Sequence, residues 1–218
     1  MKSHAAISAL LLSASLELFA GGARAEESTP SSATLGATLG AALPVGSLEA
    51  GSRISDTTFA TVPFRLDAGV KLDRRLLVFF SMDYAFGIPT LCVTADDCTS
   101  SLGTDVLVIV GVRRAFPRLG PVTPELGWGF GYEWFTSRLS DSGVESSRHY
   151  RGPALAALEL LAHFRLGRAL RLAPTLRAVV GEFSHATLSG PGGETSGRVD
   201  GLALHGWLSL GERLGYDL

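Results

Sequence analysis

The sequence predicts an all-β chain, folded as an eight-stranded antiparallel up-and-down β-barrel that crosses a membrane. The first of three observations behind this lies in residues 124–135. Leu126, Trp128, Phe130, Tyr132 and Trp134 occupy one parity there, and Glu125, Gly127, Gly129, Gly131 and Glu133 the other. A strand sends alternate side chains to opposite faces, so one face is wide and apolar and the other nearly bare. Glycines and carboxylates cannot fill a dry core, so the large side chains must face a second apolar medium, and a bilayer supplies one. The second observation is composition: mean hydropathy is +0.26 and only 18% of residues are charged. Polar residues nonetheless interrupt every apolar stretch well before the roughly 18 residues that a spanning helix needs. The third is the spacing of the connections, which emerges from the elements in order.

Residues 1–25 read as a secretory signal peptide. Lys2 gives a positive start, residues 5–16 an apolar run, and Ala23-Arg24-Ala25 an A-x-A cleavage pattern. Residues 26–31 form a short leader, and residues 32–218 the barrel domain. With a formal net charge of −2, the chain carries no basic excess that would recruit nucleic acid.

The first strand follows from period-2 alternation over residues 32–45, where Leu35, Ala37, Leu39, Ala41 and Leu43 interleave with Thr34, Gly36, Thr38 and Gly40. A polar loop, 46–58, comes next. The second strand, 60–71, sets Phe64, Leu66, Ala68 and Val70 against Arg65, Asp67, Gly69 and Lys71, and residues 72–75 make a tight reversal. In the third strand Leu76, Val78, Phe80, Met82 and Tyr84 point outward and Leu77, Phe79, Ser81, Asp83 and Ala85 inward. Loop 88–101 holds Cys92 and Cys98, which read as a loop disulfide in an exported chain; a metal or redox pair is the rival, but the loop has no His and no C-x-x-C.

Val106, Val108, Val110 and Val112 form the outer row of the fourth strand, with Asp105, Gly111 and Arg113 inward; β-branched residues suit such a row. A turn at 115–120 leads to the fifth strand, 124–135. Residues 136–147 are too polar to pack and read as a third long loop. The sixth strand, about 150–166, also fits an amphipathic helix, since Leu155, Leu158, Leu161 and Ala162 fall at helical spacing. The strand reading rests on Leu158, Leu160, Ala162 and Phe164 alternating with Glu159, His163 and Arg165. After a turn at 167–168, the seventh strand places Leu170, Leu172, Leu176, Ala178 and Val180 outward and Arg171, Ala173, Thr175, Arg177 and Gly181 inward. The GPGG of residues 190–193 marks 185–200 as a fourth long loop without regular structure. The last strand has Leu202, Leu204, Leu208, Leu210, Leu214 and Tyr216 outward, with His205, Ser209, Gly211 and Arg213 inward.

The connections therefore alternate long and short, which puts the four long loops at one end and both termini at the other. Closing the sheet removes the unpaired edges that lipid could not satisfy. With this pattern the chain resembles the small eight-stranded OmpA/OmpX-type outer-membrane barrels over its whole mature length. The resemblance implies an outer-membrane location, extracellular long loops and periplasmic termini. It also implies outer-membrane lipid and the outer-membrane assembly machinery as partners. Ser209, Gly211, Leu214 and Tyr216 look like the C-terminal signal read by that machinery, although the chain ends with Leu218 where the family usually has Phe.

The inward row collects Arg65, Lys71, Arg113, Arg165, Arg171, Arg177 and Arg213 against Asp67, Asp83, Asp105, Glu125, Glu133 and Glu159. Eight strands enclose a space that side chains just fill, so these charges must pair with one another. Arg113 and Glu125 are expected partners across the turn between the fourth and fifth strands. His163 and His205 share the inner parity and read as members of the same network. No cofactor motif is present: G-x-G-x-G at residues 127–131 lacks the dinucleotide spacing, and the GPGG loop lacks a phosphate-binding lysine.

The expected function is envelope structure, or contact with an extracellular partner through loops 46–58, 88–101, 136–147 and 185–200. Three rivals stand beside it. One is a narrow pore with a charged constriction. Another is a lipid-modifying hydrolase built from Ser184, Glu182 and His149, for which His149 has the wrong, inward parity. The last is a soluble lipocalin-like carrier, which needs the apolar row inside and the charged row in water.

Overall fold

The computed structural model describes residues 32–49, 51–89, 100–141, 144–199, 201 and 203–218. The signal peptide, the leader and both cysteines lie outside these residues. Eleven strands and one helical turn follow one another: β1 (Ala33–Glu49), β2 (Ser52–Arg53), α1 (Ile54–Thr57), β3 (Thr58–Lys71), β4 (Leu76–Pro89), β5 (Ser100–Ala115), β6 (Val122–Asp141), β7 (Val144–Arg165), β8 (Leu170–Glu182), β9 (His185–Gly190), β10 (Gly193–Arg198) and β11 (Leu204–Asp217).

Eight of these strands close a ring in the order β1, β3, β4, β5, β6, β7, β8, β11. The seam between first and last strands is complete from Thr34↔Asp217 to Gly46↔His205. All neighbouring pairs in the ring are antiparallel. The end that carries the three short connections and both termini of the barrel is the turn end; the opposite one is the loop end. No helix among the described residues is long and apolar enough to cross a membrane, so any crossing is made by strands.

Two of the three short turns have a local cause in their side chains or backbone. Between β3 and β4, the Asp73 carboxylate accepts the Leu76 N–H at 2.7 Å, mimicking a backbone turn. Between β5 and β6, Leu119 and Val122 exchange backbone hydrogen bonds of 2.8 and 3.1 Å around Gly120, whose φ of +61° a side chain would resist. Along the strands the period-2 pattern appears directly as burial: on β3, Arg65 and Asp67 are 3% and 4% exposed, while Phe64 and Leu66 are 44% and 54% exposed.

The loop end departs from the sequence expectation. Residues 136–147 are not a loop over most of their length, because β6 and β7 stay paired from Thr136↔His149 to Asp141↔Val144. Polar side chains do not prevent this: a hairpin above the apolar belt is held by its backbone ladder and needs no apolar row, and Ser137 is even buried on one face of it. Likewise 185–200 contains the hairpin β9–β10, with Pro191 and Gly192 as its two-residue turn, so the GPGG stretch reverses a ladder rather than excluding one. In 46–58, β1 continues to Glu49 and α1 follows, its Asp56 accepting the Arg53 N–H at 3.0 Å. Of the 88–101 loop only the strand residues at its two ends are described.

The sixth barrel strand, β7, is a strand throughout, with one irregularity. Gly129↔Ala157 is followed by Gly131↔Ala154 on the β6 side, and Ala154↔Gly181 by Ala156↔Val180 on the β8 side. The extra residue is a β-bulge, and it resets the parity: Ala154 and Ala157 both point inward. This puts Tyr150 inside and leaves His149 exposed, the reverse of the alternation extrapolated from Glu159.

Candidate functional site

The lumen is filled by two clusters and closed at the turn end by a third. The first is an unbranched chain of charges running across the barrel. Arg213 donates from Nε and Nη2 to Asp67 (2.9 and 2.7 Å), and Arg113 Nη1 donates to the same carboxylate at 2.7 Å. Arg113 Nε reaches Glu159 at 2.9 Å, Glu159 also accepts from Arg65, Arg65 Nε donates to Asp83 at 2.8 Å, and Arg177 Nη1 to Asp83 at 2.6 Å. The seven groups come from β11, β3, β5, β7, β4 and β8 and alternate in sign throughout. All seven are buried. Burying charge is costly unless it is paired and hydrogen-bonded, and here every carboxylate holds two guanidinium partners.

Room for this chain comes from glycine. A Cβ on Gly36 would fall on Arg213 Nη2 and on Asp67 Oδ2. One on Gly127 would lie 3.2 Å from Arg113 Cγ and 3.3 Å from Glu159 Cβ. Phe79, the inward phenylalanine of β4, packs under the Arg113 guanidinium, whose carbon sits 4.1 Å from the ring centre.

Towards the loop end the lumen changes character. The buried Glu133 carboxylate accepts Trp207 Nε1–H at 2.8 Å and pairs with His205 Nε2 at 2.7 Å. Asp105 is buried nearby, within electrostatic reach of Glu133, Asp83 and Arg177. The His205 ring stacks on Phe183 at 3.7 Å and 4°. Above it Phe135, Tyr150, Phe183 and Trp207 form an aromatic layer with ring centres 5.5 to 6.4 Å apart. Ile54 of α1 and Leu48 join that layer at the mouth.

At the turn end, Glu125 faces His163 Nε2 at 3.1 Å and Arg171 at 3.9 Å, while Asp217 pairs with Lys71 at 3.0 Å and with Arg171. Two expectations are corrected here. Arg113 does not pair with Glu125, because the ladder sets Arg113 opposite Gly127 and Arg113 reaches inward to Asp67 and Glu159 instead. Arg165 is exposed at the last residue of β7, outside the lumen, where the strand gives way to the connection 166–169. Sequence reasoning passed over Asp217 and the aromatic layer. Phe135 has the parity of Glu133, and Trp207 that of His205, so both were findable; Tyr150 was hidden by the bulge.

Ser184, Glu182 and His149 do not assemble into a relay. Ser184 Oγ lies 3.1 Å from His185 Nδ1, and both ring nitrogens of His149 are taken up by Thr136 and Ser147 at 3.0 and 3.2 Å. Among the described residues no group of three or more His, Cys, Asp or Glu side chains could hold a metal ion.

The outer surface is the inverse of the lumen. Phe130, Trp134, Val110, Leu208 and Leu210 are exposed, with Leu126, Trp128, Tyr132, Val106 and Val108 half-buried between them in the same outward rows. Gly211 faces inward and Leu214 and Tyr216 outward on β11. Such a polarity excludes the lipocalin arrangement, whose apolar row lines a cavity. No protein-family model matches the chain, and no curated protein matches its sequence. Solved structures do. A major outer membrane protein from Thermus thermophilus superposes with a TM-score of 0.57 at 14% identity, over 87% of this chain and all of that one. The outer membrane protein OprG from Pseudomonas aeruginosa gives 0.50 at 14% identity, over 86% of this chain and 95% of its own.

The fold is that of the small outer-membrane β-barrels. In an outer-membrane barrel the exposed apolar rows are the lipid-facing belt, and the closed ring leaves no backbone edge within it.

Proposed function

We propose that this outer-membrane barrel is a closed, non-enzymatic envelope protein whose work is contact made at its loop end. The observation that carries the reading is the filled lumen: a charge chain and an aromatic layer, each made of buried side chains, stand one above the other across the barrel. A conducting pore needs a continuous polar path, and the aromatic layer of Phe135, Tyr150, Phe183 and Trp207 interrupts one. Support for contact comes from the paired extensions β6–β7 and β9–β10, which hold polar residues in hydrogen-bonded hairpins beyond the belt. On this reading the loop end is extracellular, the termini are periplasmic, and the assembly machinery engages β11.

Two measurements test it. Reconstituted in planar bilayers, the protein should give no unitary current; discrete steps would restore the pore. Cells displaying it should be captured by a surface macromolecule in an array of host and bacterial polysaccharides and proteins, and deletion of residues 186–197 should abolish capture while leaving the barrel heat-modifiable on gels. Phospholipid deacylation by the wild type that Ser184→Ala removes would instead establish an enzyme.

A further inference from the structure

We infer that the wall around β7 holds the acyl chain of a membrane phospholipid near the turn end. The inference rests on the belt facing lipid. Two prolines flank one alanine there. Pro124 of β6 pairs with Ala162, and on the other side the β7–β8 ladder stops at Leu161↔Thr175 and resumes at Phe164↔Leu172, with Pro174 in the gap. A proline donates no ladder hydrogen bond and is out of place in a sheet interior, so the wall is thin at this point.

Where it is thin there is a cavity of about 320 Å³, open to the outside. Pro124, Leu160, Ala162, Pro174, Leu176 and Leu210 frame it, and the inward-facing Leu161, Thr175 and Glu125 are its floor. The size lies within the range of small-molecule sites, and the frame is apolar. Glu125 is already engaged by His163 and Arg171, so the floor offers no free charge to a polar ligand.

The occupant is named by continuity. Leu160, Leu176 and Leu210 belong to the lipid-facing belt, so the groove opens into hydrocarbon. Beneath it, the connections 116–121 and 166–169 carry Arg118 and Arg168, with the exposed Arg165 beside them; these three guanidinium groups outnumber the exposed Glu212, which lies across the ladder from Pro174 on the same wall. Guanidinium groups at that level match a phosphate headgroup whose chain rises into the groove.

The test uses the folded protein in vesicles of phosphatidylethanolamine and phosphatidylglycerol doped with a phosphatidylglycerol bearing a diazirine halfway along one acyl chain. After irradiation, adducts should concentrate on peptides containing residues 160–162 and 174–176. Ala162→Phe, which fills the groove, should cut them at least fivefold without changing adducts around Leu66 of β3 on the opposite wall. Should that variant fail to fold, Leu176→Trp closes the groove from its side. The triple variant Arg118→Gln, Arg165→Gln, Arg168→Gln should lower labelling by the phospholipid probe severalfold, but not labelling by a diazirine alkane without a headgroup. Adducts spread evenly round the belt, or unchanged by filling the groove, overturn the inference while leaving the membrane reading intact. No adducts anywhere on the outer face overturn both.

Discussion

Removal of one carboxylate should show how the lumen is held. The Asp67 side chain is fully buried and accepts three charge-assisted hydrogen bonds, two from Arg213 and one from Arg113. In Asp67→Ala, Arg113 keeps Glu159, but Arg213 loses both of its hydrogen bonds and stays buried. Stranding one charge of a buried pair costs about 3–5 kcal/mol. That is roughly two to four orders of magnitude in the folding equilibrium. Removing both ends should cost far less: in Asp67→Ala with Arg213→Leu no unpaired charge remains, and replacing a buried pair by apolar groups is often neutral. Urea unfolding in lipid vesicles, followed by tryptophan fluorescence, gives both numbers. A single variant within about 1 kcal/mol of wild type, or a double variant no more stable than the single, would refute the account of the chain as mutually dependent pairs.

Other outcomes follow from the same geometry. Trp207→Phe keeps the ring in the aromatic layer but withdraws the Nε1–H from Glu133, and should cost about 1–3 kcal/mol in the same unfolding assay. Phe130→Arg places a cation on the belt and should cost about 2–4 kcal/mol, whereas Glu145→Lys in the β6–β7 hairpin should change stability by under about 0.5 kcal/mol. Glu212 is exposed among the outward leucines of β11, beside Leu210 and Leu214, so Glu212→Leu should stabilise the barrel. A loss of stability there would reveal a partner for the carboxylate.

Most of the cylinder was legible because its two solvents are so different: lipid outside demands an apolar row, and a narrow lumen demands small or paired residues on the other. Period-2 alternation therefore reported both faces at once in β3, β4 and β8. Where the text misled, a single physical feature intervened. Leu155 and Leu158 look helical at a spacing of three because the bulge near Ala156 lets both point outward across a parity slip. Pairing partners were less legible than burial. Arg113 and Glu125 face the same interior, but arginine reaches across the lumen, and sequence neighbourhood says nothing about which carboxylate waits on the far wall. The loop end was misjudged for another reason: polarity signals water, and a ladder in water is still a ladder.

The longest link in the charge chain has a consequence for assembly. Asp67 and Arg213 are separated by 146 positions and come from an early strand and the terminal one. Until β11 docks, Asp67 lacks two of its three hydrogen bonds, both donated by Arg213, and a partly built sheet encloses a carboxylate it has only partly satisfied. The step that zips the seam is thus the step that settles the interior, so an incomplete cylinder is poised to reopen and a complete one is locked by its own last residues.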